Sequence, residues 1–380
     1  MACILDLASP AGAYGTRVLA ELGHDVVRIE PPQGDALRRL EPYLPGAKPL
    51  EAGAFHQFLN AGKRSLAVDL GSEEGRALVL ALTAKADLLV ASLPIAVQES
   101  ALLAANPDLV LLRLDDGPPE LCAYANSGLL AITGEPDGRP TMLGGHVPYS
   151  AVGIHVALAA TAALFGKETS GCRQVVDISA TQCLAALAEQ VWVEYSMSGE
   201  LLERLGSRGG ITALAGALPC SDGHWMVSVP PDPRGWANFV QLVPDPAFKD
   251  DASLADEAMR RERKHEILDR LALWSQTRAK NTIVEEAQRL HIPAAPVTNP
   301  LELVEDPQLL ARGFLRPVEH PDFGKINFPM GAFAAMEGRS MAFAPRLGQH
   351  SAAILAELGF SGEAIASLRE SGVIVTADPA

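Results

Sequence analysis

The segment GGHVPYSAVGIHVALAATAALFGK, Gly144 to Lys167, sets a glycine pair and a proline ahead of a long run of small and apolar residues. A turn that feeds a helix in this way often holds a reactive side chain at the junction. Tyr149 stands there. A phenol with an ordinary pKa of ~10 is almost wholly protonated near neutral pH, so it is a poor nucleophile and a serviceable hydrogen-bond donor. GGHVPYSAVG contains no carboxylate, and the nearest acids, Glu135 and Asp137, lie well upstream. His146 reads as a loop histidine.

Cations offer a second kind of chemistry. QGDALRR places Arg38 just after a turn, and NAGKRSLAVDL places Lys63 and Arg64 just before a strand. Loop ends on the rim of an α/β sheet are where such folds bind anions, and an arginine fork or a lysine point charge suits phosphate. The other reading of the same residues is solubilising surface charge. Phosphate-loop, dinucleotide-fingerprint, HExxH, paired CxxC and GxSxG patterns do not occur. The nine histidines lack metal-ligand spacing, so no metal is expected. A net charge of −15 disfavours nucleic-acid binding. Cys3, Cys122, Cys172, Cys183 and Cys220 are scattered and odd in number, which reads as reduced core thiols in a cytoplasmic protein. MACILDLASP lacks the basic region of a signal peptide, and no membrane span is expected.

These residues need elements to hold them. CILDLA, DVVRIEPP, RSLAVDL, DLLVASLP and PDLVLLRL read as strands separated by helical stretches such as SEEGRALVLALTAKA. That rhythm implies a mostly parallel, doubly wound sheet with helices on both faces. Small residues from Ala151 to Phe165 suit a helix that approaches another backbone closely. VVDISATQCLAALAEQVWVEYSMS reads as a strand running into one long helix. After Arg204 the texture becomes glycine-rich and then charged, with a hairpin turn at Asp222-Gly223, as in a separate smaller unit. The tail reads as two helices joined at Gly359.

Taken in order, LDLASPAGAYGTRVLAELGHDVVRIEPPQGDALR, FLNAGKRSLAVDL, SGLLAITGEPDGRPTMLGG, ETSGCRQVVDISATQ, DPQLLARGFL and APRLGQHSAAILAELGFS resemble the class III CoA-transferases, the group that includes formyl-CoA transferase and α-methylacyl-CoA racemase. The resemblance implies a Rossmann-like large domain built from residues 1–204 and 306–380, an inserted α+β domain over 205–305, and two chains interlocked as rings. It implies coenzyme A, as acyl-CoA, for a substrate and an organic acid as acceptor. The family's carboxylate on the turn before the small-residue helix attacks the thioester and carries the CoA covalently. Arg38, Asn60, Lys63, Tyr14, Gly144 and Gly145 fall where the family contacts CoA or the reacting carbonyl. Tyr14 reads equally as a core aromatic, and the two glycines equally as turn formers.

This chain departs from the family at the decisive position, because Tyr149 stands where the family has its aspartate. The racemase histidine is missing before NSGLL, and Ser92-Leu93-Pro94 replaces the usual CoA-holding turn and its arginine. The resemblance therefore implies the degenerate subunit of a heteromer, of the succinyl-CoA:benzylsuccinate CoA-transferase kind, with an aspartate-bearing homologue as partner. The alternatives are a stand-alone acyl-CoA hydrolase, lyase or isomerase using Tyr149, and a non-catalytic acyl-CoA-binding scaffold.

Overall fold

The computed structural model describes residues 1–44, 50–171, 173–209, 212–331 and 342–377; Cys172, read above as a core thiol, lies outside them. The strands are β1 (Cys3–Leu7), β2 (Asp25–Glu30), β3 (Arg64–Val68), β4 (Leu88–Ser92), β5 (Val110–Asp115), β6 (Val175–Ser179), β7 (Ala215–Cys220), β8 (Gly223–Ser228), β9 (Ala294–Pro296), β10 (Leu315–His320), β11 (Gly324–Pro329) and β12 (Ile374–Val375). The first helices are α1 (Pro10–Glu21), α2 (Ala54–Leu59), α3 (Glu73–Thr83), α4 (Glu99–Ala105), α5 (Glu120–Asn126), α6 (Leu129–Ile132), α7 (Val147–Ser170), α8 (Ala180–Ala186) and α9 (Glu189–Ser198). The single long helix expected after β6 is thus two, α8 and α9.

The main sheet runs β12-β3-β2-β1-β4-β5-β6, parallel throughout except for β12 against β3. Its central strands are continuous apolar runs because both faces are covered. Ile4, Val26, Leu88, Val90, Val110 and Leu112 point into one layer with α1, α5, α7 and α8. Leu5, Val27, Leu89, Ala91 and Leu111 point into the other, with α3, α4 and the tail helices Ser351–Glu357 and Gly362–Glu370. The order reverses at β1 and β4, which makes a crevice at their C-terminal ends.

Contacts divide the described chain into two units. One holds residues 1–129, 143–192 and 306–380, and the other 130–142 and 193–305. The second unit takes in the loop 130–142 together with the run from 193 to 305. The Arg204 guanidinium is the physical reason: it donates to the carbonyls of Ala131, Glu135, Pro136 and Gly138. Inside that unit the antiparallel β7-β8-β9 sheet packs Trp225 and Val227 with Phe239, Leu268 and Ile283.

In the first unit α1 and α7 touch through their backbones. A Cβ on Gly15 would fall 2.4 Å from the Gly153 carbonyl oxygen and 2.8 Å from Val156 Cβ. One on Gly153 would fall 2.8 Å from the Gly15 nitrogen and from Tyr14 Cβ. Although the sequence reading expects no span, α7 is long and apolar enough to cross a membrane by length and composition. Its Val152, Val156, Ala160 and Ala163 are buried in the core, whereas Ile154, Leu158 and Phe165 are exposed.

Gly153→Ala inserts a methyl where no room exists and should cost about 1–3 kcal/mol. Urea denaturation reads this as a lowered midpoint at unchanged slope. An unaltered midpoint would show that the two helices are not held at this separation.

Candidate active site

A buried charge lattice underlies the site. The Asp6 carboxylate on β1 accepts from Lys63 Nζ at 2.9 Å, Thr16 Oγ1 at 2.7 Å, Arg28 Nη1 at 2.9 Å and the Ala8 N–H at 2.9 Å. Burial alone would raise its pKa; the two cations outweigh that and bring it down to about 2. Lys63 Nζ also donates to the Ala13 carbonyl and to Thr16 and Asn60 oxygens. Asn60 Nδ2 meets His56 Nδ1 at 3.0 Å. Arg38 is fully buried; its guanidinium donates to Glu30, Glu51 and the carbonyls of Leu50 and Pro345.

Arg38 and Lys63, expected on the rim of the sheet, are placed in the interior, and so is Asn60. The donors of the two cations are spent on the protein. A carboxylate within the fold captured each cation because an unpaired buried charge is far costlier than a paired one.

The residues that do gather are those at the head of α7. Tyr14, Phe55, Phe58, Gly145, His146 and Tyr149, with smaller neighbours, line a pocket of about 90 Å³ between α1, α2 and the start of α7. The pocket holds the volume of about three waters, enough for a short acyl group and not for a nucleotide. Tyr14 stacks on Phe58 at 6.1 Å between centroids, and Phe55 meets the His146 ring edge-on at 4.7 Å. Gly145 has φ +71°, which keeps the turn tight, and a Cβ there would meet open space. Gly144 is not among the lining residues.

Glu120, the first residue of α5, was missed by reading the chain linearly. It lies 29 residues before Tyr149, yet its Oε1 accepts from the Tyr149 N–H at 3.2 Å and its Oε2 meets His146 Nδ1 at 2.7 Å. His146, the residue just before α7, makes no side-chain cap to that helix. Glu120 supplies the cap from another element, with a charge the helix N-terminus favours. Glu135, which is closer in sequence, instead accepts from the Ser207 N–H in the second unit. Burial first, and then Glu120, push the Tyr149 hydroxyl above its ordinary pKa, so the phenol stays protonated. The signal for Glu120 was an acid opening a short helix after Pro118-Pro119, which sequence alone could not connect to α7.

At the crevice beside β1 and β4, Ser9 Oγ donates to Asp116 at 2.6 Å and Ser92 Oγ at 3.1 Å. The Ser9 N–H donates in turn to Ser92 Oγ. Burial raises the Asp116 pKa, and the two hydroxyls partly offset it. This crevice presents an acid rather than the cation a phosphate requires.

The family model described as CoA-transferase family III matches residues 3–351. The chain is 29% identical over 384 residues to the succinyl-CoA:mesaconate CoA-transferase of Haloarcula hispanica, covering 94% of this chain and 95% of that protein. It is 27% identical over 400 residues to the succinyl-CoA:(R)-benzylsuccinate CoA-transferase subunit BbsE of Thauera aromatica, covering 98% and 97%. In fold it is similar to a CAIB/BAIF family protein from Brucella suis, with a TM-score of 0.82 at 24% identity over 94% of this chain and 98% of the other.

Arg38→Ala strands the buried Glu30 and Glu51 and should cost about 3–5 kcal/mol of stability; a variant that unfolds like the parent would show that Arg38 is free to hold a ligand. Asp6, whose folded pKa of about 2 lies below the ordinary 3.8, contributes stability that is present above pH ~4 and is lost as the pH falls through about 2. Asp6→Asn should flatten that part of an acid-unfolding profile, and an identical acid limb would contradict the ion pairing.

Proposed function

The chain belongs to CoA-transferase family III, and on that premise we propose that it is one subunit of an enzyme moving CoA from an acyl-CoA to an organic acid, completed by a homologous chain that carries the catalytic aspartate. The observation that carries this reading is the head of α7. Transfer through an acyl anhydride needs an ionised carboxylate with a free oxygen facing the thioester. Tyr149 is a protonated phenol there. Glu120 has both oxygens engaged, one by His146 and one by the Tyr149 N–H.

Other features support the reading. The exposed Ile154, Leu158 and Phe165 on α7 form an apolar stripe of the kind a partner chain covers. Arg38, Asn60 and Lys63 are committed to the interior, and Asp116 occupies the crevice, so the nucleotide end of CoA falls to the partner. Interlocked rings would let this chain build one wall of the partner's site. Cys3, Cys122, Cys183 and Cys220 are free thiols, in keeping with a cytoplasmic setting. Within the site Tyr149 and the Gly145 N–H act as donors to a carbonyl oxygen.

The test is acceptor-dependent transfer. The chain alone, incubated with succinyl-CoA and a panel of organic acids, should form no new acyl-CoA. Co-purified with an aspartate-bearing homologue from the same genome, it should. Rapid acceptor-dependent exchange by the isolated chain, or a covalent CoA adduct trapped on it, would overturn the assignment.

A further inference from the structure

We propose that His146 and Glu120 form a general-base pair that hydrolyses short apolar acyl thioesters at the head of α7, an activity independent of the subunit reading because it requires neither an acceptor acid nor a partner chain. The pair was invisible as a motif, and the transfer chemistry does not use it.

The geometry is that of a base held by an orienting acid. A carboxylate can only accept, so the 2.7 Å contact between Glu120 Oε2 and His146 Nδ1 places the proton on Nδ1 and leaves the Nε2 lone pair free. Glu120 is itself fixed: it is 9% exposed, and its other oxygen holds the Tyr149 N–H. His146 has a left-handed backbone, φ 55°, a conformation that histidine tolerates better than most residues. Its side chain is 44% exposed while it also lines the apolar pocket, so water and an acyl group reach it together. Donors for the carbonyl oxygen stand in the same turn. Among the described residues the Gly145 N–H donates to no protein acceptor, and the Tyr149 phenol keeps its proton.

The step balances with water as the only co-reactant. His146 Nε2 takes a proton from water as the water oxygen bonds to the thioester carbonyl carbon, with Gly145 and Tyr149 donating to the oxyanion. The carbon–sulfur bond then breaks, and the thiolate leaves with the proton from the imidazolium. A thioester and water become an acid and a thiol. Glu120 positions the imidazole and steadies its positive charge without accepting the proton, which is the division of labour in other carboxylate–histidine pairs.

The experiment uses the full-length chain with butyryl-CoA and, separately, butyryl-N-acetylcysteamine, a thioester that needs no nucleotide grip. Acceptor acid is left out, and free thiol is measured. We expect saturable thiol release from at least one of the two. His146→Asn, chosen because asparagine also tolerates the left-handed backbone, should lower kcat about 100-fold. Glu120→Gln should lower kcat with KM little changed. The titratable groups facing His146 are Glu120 from α5 and Tyr149 from α7; α2 offers only Phe55. A loss confined to kcat, with KM held, is an effect that a general loss of structure would not produce. If His146→Asn fails to fold, the split between kcat and KM in Glu120→Gln carries the test. No thiol release above buffer from either thioester, full activity in His146→Asn, or an unchanged kcat in Glu120→Gln would overturn the proposal. Because no acceptor is present, this result separates cleanly from acceptor-dependent transfer.

Discussion

The backbone contact between α1 and α7 at Gly15 and Gly153 is the constraint on which the site rests. Neither position has room for a methyl group. With two hydrogens in place of side chains, the helices approach until Tyr14 lies against Gly153 and the head of α7 reaches the pocket walls from α1 and α2. The small-residue run that looks featureless in the sequence is thus a geometric instruction. Widening the gap by one methyl group would draw Tyr149 away from Tyr14 and loosen every contact that depends on the turn before α7.

Charge is the second organising force, and it acts inward. Asp6, Lys63 and Arg28 tie β1, β2 and the entry to β3 together beneath the site, while Arg38 and Glu30 bind the same region to the C-terminal return through Glu51 and Pro345. Ser65 joins in by donating to Glu30 and accepting from the Gly348 N–H. Desolvating so many ionised groups is tolerable only because nearly every lone pair and proton has a partner. The cost is that cations suited to phosphate no longer face solvent.

The carboxylates follow a matching logic. Glu120 is spent on the helix cap and the histidine, and Asp116 on two serines. Both oxygens of Glu120 are engaged, whereas Asp116 holds its two serines through Oδ1 alone. The family's α/β fold is retained, and a tyrosine stands at the head of α7. That head borders a small apolar pocket with a phenol, an imidazole and a glycine turn.

The sequence by itself determined the layered α/β architecture, because strand and helix periodicities are local and continuous apolar runs mark strands buried on both faces. It also determined that a phenol follows the glycine turn, since residue identity needs no coordinates. Charges were another matter: Arg38 and Lys63 look the same in sequence whether they face water or a buried carboxylate, and only the crossing of β1, β2 and β3 revealed their partners. His146 read as a loop residue until α5 was brought against it. Glu120 belongs to a different helix, so its capture of His146 and of the Tyr149 N–H was decided by packing alone. Hydrogen bonds between distant elements have no periodicity and leave no signature along the chain.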